Sequence, residues 1–172
     1  MTTEILNSNN DSRRYIISTD GACRINPGPG GWGVVLQLEV CGQITKEREL
    51  SGATIEETTN NRMELSAVLG VLGRLMEKTI PITVRSDSRY VIDGMSRWLE
   101  GWKQNGWRTS DKKPVKNKDL WLELDQLCGE LGPISWEWVR GHSGDALNER
   151  CDRLANLAID TALRGISPIS NT

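Results

Sequence analysis

The sequence predicts an α/β domain: a mixed five-stranded sheet, three antiparallel strands and then two parallel ones, flanked by helices and carrying a basic arm. Three observations lead there. The first three strand-like runs are joined by short connections, so they pair antiparallel. The last two are reached through helical stretches, the way parallel strands are joined. Two runs, YIISTDG at 15–21 and ITVRSD at 82–87, are β-branched and contain an acid where the run stops, as buried strands ending at a sheet edge do.

Taken in order, residues 1–13 are polar and are expected to form a loose tail. The run 15–21 is the first strand, and CRINPGPGGWG at 23–33 reads as a turn-rich loop. GVVLQLEV (33–40) and QITKEREL (43–50) form a hairpin around Cys41-Gly42. Residues 58–78 are helical, because Leu65, Val68, Leu72 and Leu75 recur at spacings of three and four, with Asn60 or Asn61 as the cap. After the strand at 82–87, the stretch 90–106 is helical with interruptions at Gly94 and Gly101. An amphipathic helix follows at 117–128. ISWEWVR at 134–140 alternates strictly, placing Trp136 and Trp138 on one face and Glu137 on the other. A helix at 146–163 closes the domain, which spans 14–164 and leaves 165–172 as a second tail.

A chain of 172 residues, 37% apolar and 26% charged, suits one globular domain with a sizeable core. No apolar run approaches the ~20 residues of a membrane helix, and MTTEILNSNNDSRR lacks the core of a secretory signal. A cytoplasmic protein is expected, without membrane partners. It is expected to be a monomer, because no apolar helix face is left over. Cys23, Cys41, Cys128 and Cys151 stand singly, without the pairing of a zinc site.

Four acids carry the chemistry. Asp20 and Asp87 end buried strands, and ligands of open α/β sheets gather beyond strand ends. Glu64 lies in line with Val68, Val71 and Leu75, along an apolar stripe where a carboxylate needs compensation. Asp152 repeats this with Ala155 and Ile159. Singly, each has an ordinary explanation: a turn at Asp20, a helix cap at Asp87, a salt bridge at Glu64, a rim position for Asp152. Together, from four elements, they point to cations, since clustered carboxylates cannot all stay ionised alone. Oxygen ligands favour Mg²⁺, with Mn²⁺ as substitute. Two such ions ~3.5–4 Å apart suit phosphoryl transfer. The residues indicate a metal-dependent phosphodiester enzyme.

Between Arg97 and Lys118, seven basic residues face two acidic ones, in a chain of net charge −2. Trp98, Trp102, Trp107 and Trp121 are interleaved with Lys103 and the other cations. Cations neutralise phosphates and aromatic faces stack on bases or sugars, so this arm (97–118) fits a nucleic-acid polymer. Trp98 and Trp102 share a helical face, so part of this set belongs to the core.

Five stretches, TDGACRINPGPGGWG, TTNNRMEL, SDSRYV, KKPVKNKDLW and WEWVRGHSGDALNERCD, occur in this order between Arg14 and Arg164. In them the chain closely resembles the type 1 ribonucleases H, in the bacterial form with a basic arm. The resemblance implies the ribonuclease H-like fold and an endonuclease that cuts the RNA strand of RNA–DNA hybrids by a two-metal-ion mechanism, leaving 5′-phosphate and 3′-hydroxyl ends. It implies that Asp20, Glu64, Asp87 and Asp152 bind the metals, with Asp20 bridging both. It makes His142 a loop histidine that moves a proton or aids product release. Hybrid contacts are implied at Cys23, Asn26, Thr59, Asn60, Asn61, Arg89, Trp98, Trp102, Lys103 and Trp121, with Asn148 behind the ligands. Paired asparagines suit 2′-hydroxyl and minor-groove contacts. Departures from the family pattern are Arg89 in place of a common glutamine, Glu57, Gly101, Gln104 and Asn105 where more basic contacts are usual, and Asp145 beside the loop. The first five imply weaker or more salt-sensitive binding, and Asp145 is expected to favour the imidazolium form of His142.

His142 is the only histidine of the chain, between Gly141 and Ser143-Gly144. Alone it reads as a packing residue. Ahead of Asp152 and opposite the other acids, it reads as a proton-handling group, since an unperturbed imidazole changes charge near neutrality.

Overall fold

The computed structural model describes residues 12–165. The expected tails lie outside these residues, except that Arg13 already belongs to the first strand and Gly165 caps the last helix. The three opening strands are β1 (Arg13–Cys23), β2 (Gly28–Val40) and β3 (Gln43–Thr58). Helix α1 (Asn60–Leu72) leads to β4 (Ile82–Ser86). Helices α2 (Arg89–Asp93) and α3 (Leu99–Gln104) are joined through a π-helical turn at Gly94–Trp98. Then come α4 (Lys118–Gly129), β5 (Ile134–Trp138) and α5 (Ala146–Arg164).

The sheet order is β3-β2-β1-β4-β5, with β1, β2 and β3 antiparallel and β4 and β5 added in parallel. This is the predicted mixed sheet. Helix α1 packs on one face, backed by α4, and α5 lies across β2 on the other. Ile17, Val34, Leu65, Val68, Val84 and Trp121 are fully buried in the core between sheet and helices.

Several boundaries differ from expectation, each for a physical reason. The stretch expected as a loop at 23–33 is largely strand. Gly28, Gly30, Gly31 and Gly33 are buried; the missing side chains at Gly31 and Gly33 let α5 cross close to the sheet, and that at Gly30 makes room for Met63 of α1, while the backbone of Gly30–Gly33 pairs on both sides. Strand β3 runs on to Thr58, its second half pairing with Gly28–Trp32 across a bulge. Helix α1 is shorter than 58–78: after Leu72 the chain tightens into i→i−3 bonds at Arg74 and Leu75, which still brings Leu75 into the core. Its cap is Thr59, whose Oγ1 accepts from Arg62 N at 3.3 Å, rather than either asparagine. Gly94 opens the π turn, while Gly101 stays inside α3 without breaking it. No helix of the described residues is long and apolar enough to cross a membrane.

Trp121 requires a correction. It has no exposed surface, its Nε1 donates to Tyr90 Oη at 3.1 Å, and Tyr90 and Trp102 pack on its ring. It has no face to offer a nucleic acid and is part of the core. Trp121→Ala should therefore lower the unfolding free energy by about 3–5 kcal/mol, measured by urea denaturation. A loss well below 1 kcal/mol, on the scale of surface substitutions, would contradict this placement.

Candidate active site

Sheet register builds the site. The last parallel pair of β1 and β4 is Thr19↔Ser86, so Asp87, just past β4, comes beside Asp20. Asp20 was expected to end its strand but lies within β1, still paired with Gly33, because β1 runs on along β2 to Cys23. Helix α1 then delivers Glu64. Gly21 makes that approach possible, because a Cβ there would lie 2.4 Å from Glu64 N. One carboxylate oxygen from each of Asp20, Glu64 and Asp87 lies within 4.8 Å of the others. Asp20 and Glu64 are buried and Asp87 is half-buried.

The electrostatics follow from burial. Desolvation, followed by the charges of Asp87 and Asp152, raises Asp20 to about 7, against hydrogen bonds from Glu64 and the Gly21 amide. The Gly21 N–H to Asp20 Oδ1 distance is 3.0 Å. Desolvation and the charges of Asp20 and Asp87 push Glu64 well above the usual carboxylate range. Asp87 is raised mainly by burial, opposed by the Asn148 amide and His142. Asp20 is thus no simple turn residue, and Asp87 is not a helix cap, a role taken by Ser88.

The donor set fits a hard divalent cation. Three oxygen-bearing acids converge, and Glu64 Oε2 is buried without a hydrogen-bond partner. Such a buried, partnerless oxygen is costly unless a cation completes it.

Asp152 stands outside this tight group. Its charge reaches Asp20 and Asp87, while its Oδ1 accepts from Asn156 Nδ2 at 3.0 Å. His142 is exposed in the turn after β5, at a left-handed φ of 52°, near enough for its charge to act on Asp87. Asp145 was expected to favour a charged His142. Its carboxylate instead caps α5 through Asn148 N at 3.0 Å and pairs with Arg85 Nη2 at 2.8 Å. These bonds hold its own pKa below the usual range.

Beside the acids lies a polar cleft of about 350 Å³ lined by Asn26, Thr59, Asn60, Asn61, Lys116 and Asn117. Asn26 Oδ1 accepts from Asn60 N at 3.3 Å. The Cys23 thiol lies within reach of the carbonyls of Ile25, Gly28 and Thr58, nearest to Ile25 O at 3.0 Å, where its one S–H helps fix the loop that carries Asn26. Lys116 was expected only as one of the arm's cations, and Asn117 was not singled out from the sequence. Asn117, at φ 59°, ties Arg62 to Tyr90, a signal only the folded chain displays.

A second, open depression of about 500 Å³ on the arm includes Arg97, Trp98, Trp102, Arg108, Thr109 and Ser110. Trp98 is 39% exposed, and Trp102 is half-buried between Trp98, Trp107 and Trp121. Lys103 is paired with Asp125 at 3.2 Å, so its cation is not free. The Arg89 guanidinium lies 3.8 Å from the Trp138 ring centroid.

The RNase H family model matches residues 12–160. The ribonuclease H of Saccharopolyspora erythraea is 52% identical over 144 residues, covering 84% of this chain and 89% of the relative. That of Bordetella bronchiseptica is 48% identical over 157 residues, covering 91% and 96%. Among solved structures, LC9-RNase H1, a type 1 RNase H with the type 2 active-site motif, superposes with a TM-score of 0.75 at 32% identity, covering 87% of this chain and 74% of that one. LC11-RNase H1 in complex with RNA/DNA hybrid gives 0.63 at 28% identity, covering 87% and 99%.

The raised carboxyls have a consequence for stability. A folded chain in which Asp20 titrates at about 7, with Glu64 shifted the same way, binds protons that the unfolded chain releases. Their contribution is fully present below the ordinary carboxylate range and is lost as pH rises through about 7. In chelator, the thermal midpoint should fall between roughly pH 5 and 8. Asp20→Asn should flatten that fall and add on the order of 1–3 kcal/mol at the alkaline end. A wild-type midpoint that rises over this window would refute the assignment.

Proposed function

The chain belongs to the ribonuclease H family, and from that premise we propose that it is an endonuclease hydrolysing the RNA strand of RNA–DNA hybrids. Two divalent cations, Mg²⁺ or in its place Mn²⁺, would sit at the acids, and the products would carry 5′-phosphate and 3′-hydroxyl ends. The observation that carries this reading is the buried Asp20–Glu64–Asp87 cluster opening beside a cleft lined with asparagines. The hybrid-bound LC11 relative supports the choice of substrate.

Asp20, Glu64 and Asp87 would hold the cations, with Asp152 as a fourth ligand at the rim. Bound there, the cations supply an activated water and charge stabilisation at the leaving oxygen. Asn148 steadies Asp87 from behind. Asn26, Thr59, Asn60 and Asn61 present amide and hydroxyl groups to 2′-hydroxyls, which DNA lacks, and so select RNA. Cys23 acts through the loop it fixes. Trp98, with Trp102 behind it, offers an aromatic face to the opposing DNA strand, and the arm's cations, reduced by the pairing of Lys103, neutralise its phosphates. His142 handles the proton of the departing 3′-oxygen from its exposed turn. We read the protein as a cytoplasmic monomer whose domain comprises residues 14–164.

A cleavage panel of hybrid, single-stranded RNA, duplex RNA and duplex DNA tests this. Only the hybrid should be cut, in Mg²⁺ and not in chelator; cutting of duplex DNA would favour a different nuclease on the same fold. Asp20→Asn should abolish turnover while hybrid affinity, measured in chelator, stays close to wild type, and retained turnover would sink the assignment. His142→Ala should slow turnover by about 10²-fold, the lower end of what a positioned proton-transfer group contributes. Full activity of that variant at neutral pH would return the histidine to a structural role.

A further inference from the structure

The end of β5 and the residues after it meet the Asp87 segment at three points, two of them hydrogen bonds. Val139 N donates to Ser86 O at 2.9 Å, and Trp138 Nε1 donates to the Asp87 carbonyl at 3.1 Å. The Gly141 backbone passes so close that a Cβ there would lie 2.6 Å from Asp87 Oδ2. The same indole carries Arg89 on its face, 3.8 Å from guanidinium to centroid. Arg89 opens α2, two residues after Asp87, and is exposed. Its contact among the described residues is this ring rather than a carboxylate. A stacked guanidinium keeps the N–H donors of its edges available, in the fork geometry that matches a phosphate.

We propose that Trp138 is a positioning residue that serves two groups at once. Its edge holds the Asp87 main chain where the carboxylate can take a cation, and its face holds Arg89 ready for a backbone phosphate beside the acids. The identity of that phosphate as part of an RNA–DNA hybrid rests on the function proposed above; the indole's hold on Asp87 does not.

The test compares the full chain with Trp138→Phe, Trp138→Leu, Arg89→Gln and the Trp138→Leu/Arg89→Gln double variant, each checked for folding by circular dichroism. Mn²⁺ alone, titrated calorimetrically into the free protein, reads the edge of the ring. A labelled hybrid in chelator, titrated across a salt series, reads its face. Trp138→Phe keeps an aromatic face and loses the donor, so Mn²⁺ affinity should fall about tenfold, as outer partners of metal ligands do, with the salt slope unchanged. Arg89→Gln should leave Mn²⁺ binding alone and reduce the salt slope by about one unit. In the Trp138→Leu background, Arg89→Gln should cost about two- to fivefold less hybrid affinity than in wild type, the worth of an exposed cation–π contact. Unchanged Mn²⁺ affinity in both Trp138 variants, or an equal Arg89→Gln effect in both backgrounds, would overturn the proposal. If Trp138→Leu fails to fold, the Phe variant decides through Mn²⁺. Wild-type protein that fails to cleave hybrid counts against the function proposed above, and the Mn²⁺ titration still judges Trp138.

Discussion

Mutual repulsion of carboxylates in a nearly dry pocket is the constraint the rest of the structure answers. At separations of 4.8 Å or less, two full charges repel by roughly 3 kcal/mol even at an effective dielectric constant of ~20. Left to a flexible loop, Asp20, Glu64 and Asp87 would move apart. They are held because each hangs from an element with other reasons to stay where it is. Asp20 is on the central strand, paired on both sides; Asp87 follows the neighbouring parallel strand; Glu64 rides on a helix buried along most of one face. The strain is relieved by protonation, which is why burial and neighbouring charge raise all three carboxyls.

Outside this group the structure is built differently. The polar cleft is held by hydrogen bonds: the Cys23 thiol among nearby backbone carbonyls, Asn26 on the backbone at the start of α1, and the Asn117 side chain bridging the side chains of Arg62 and Tyr90. The arm is held by aromatic packing, a chain of ring contacts from the buried Trp121 through Trp102 to Trp98 and Trp107. Seven cations on a short segment need such a spine, because like charges on the surface supply no cohesion of their own. Aromatic area supplies it without drawing on the charges themselves. Lys103 is the exception, tied to Asp125 on α4.

How much of this was legible in the sequence follows from which physics each feature uses. Period and punctuation revealed the five strands, their pairing sense and the helices, because burial imposes those patterns directly. The convergence of Asp20, Glu64 and Asp87 was legible for the same reason: acids that interrupt an apolar strand or stripe break the pattern where a site breaks it, although Asp20 proved to lie within β1 rather than at its end. The glycine-rich 23–33 segment was not, since glycines that admit a neighbouring helix look the same in sequence as glycines that make a turn. Trp121 and Trp98 could not be told apart, because both sit in one basic, aromatic run, and only packing decides which ring faces inward. Asp145 was misassigned because its partner, Arg85, is 60 positions away in the chain and adjacent only once β4 and α5 are in place.

That last misreading changes how His142 should be understood. The turn that carries it is pinned at both ends. On one side Val139 N is bonded to Ser86 O; on the other Asp145 caps α5 and is paired with Arg85. Within the turn, Ser143 Oγ donates to Arg140 O at 2.6 Å, while His142 and Gly144 take left-handed backbone angles that project the histidine outward. The imidazole is thereby exposed between two fixed elements, near enough for its charge to act on Asp87. Had Asp145 faced His142, the two would have formed an ion pair at the rim, tying the histidine to the helix cap. Drawing Asp145 off to Arg85 keeps its charge out of that competition. The carboxyl on which the His142 charge acts is Asp87, itself part of the acid cluster.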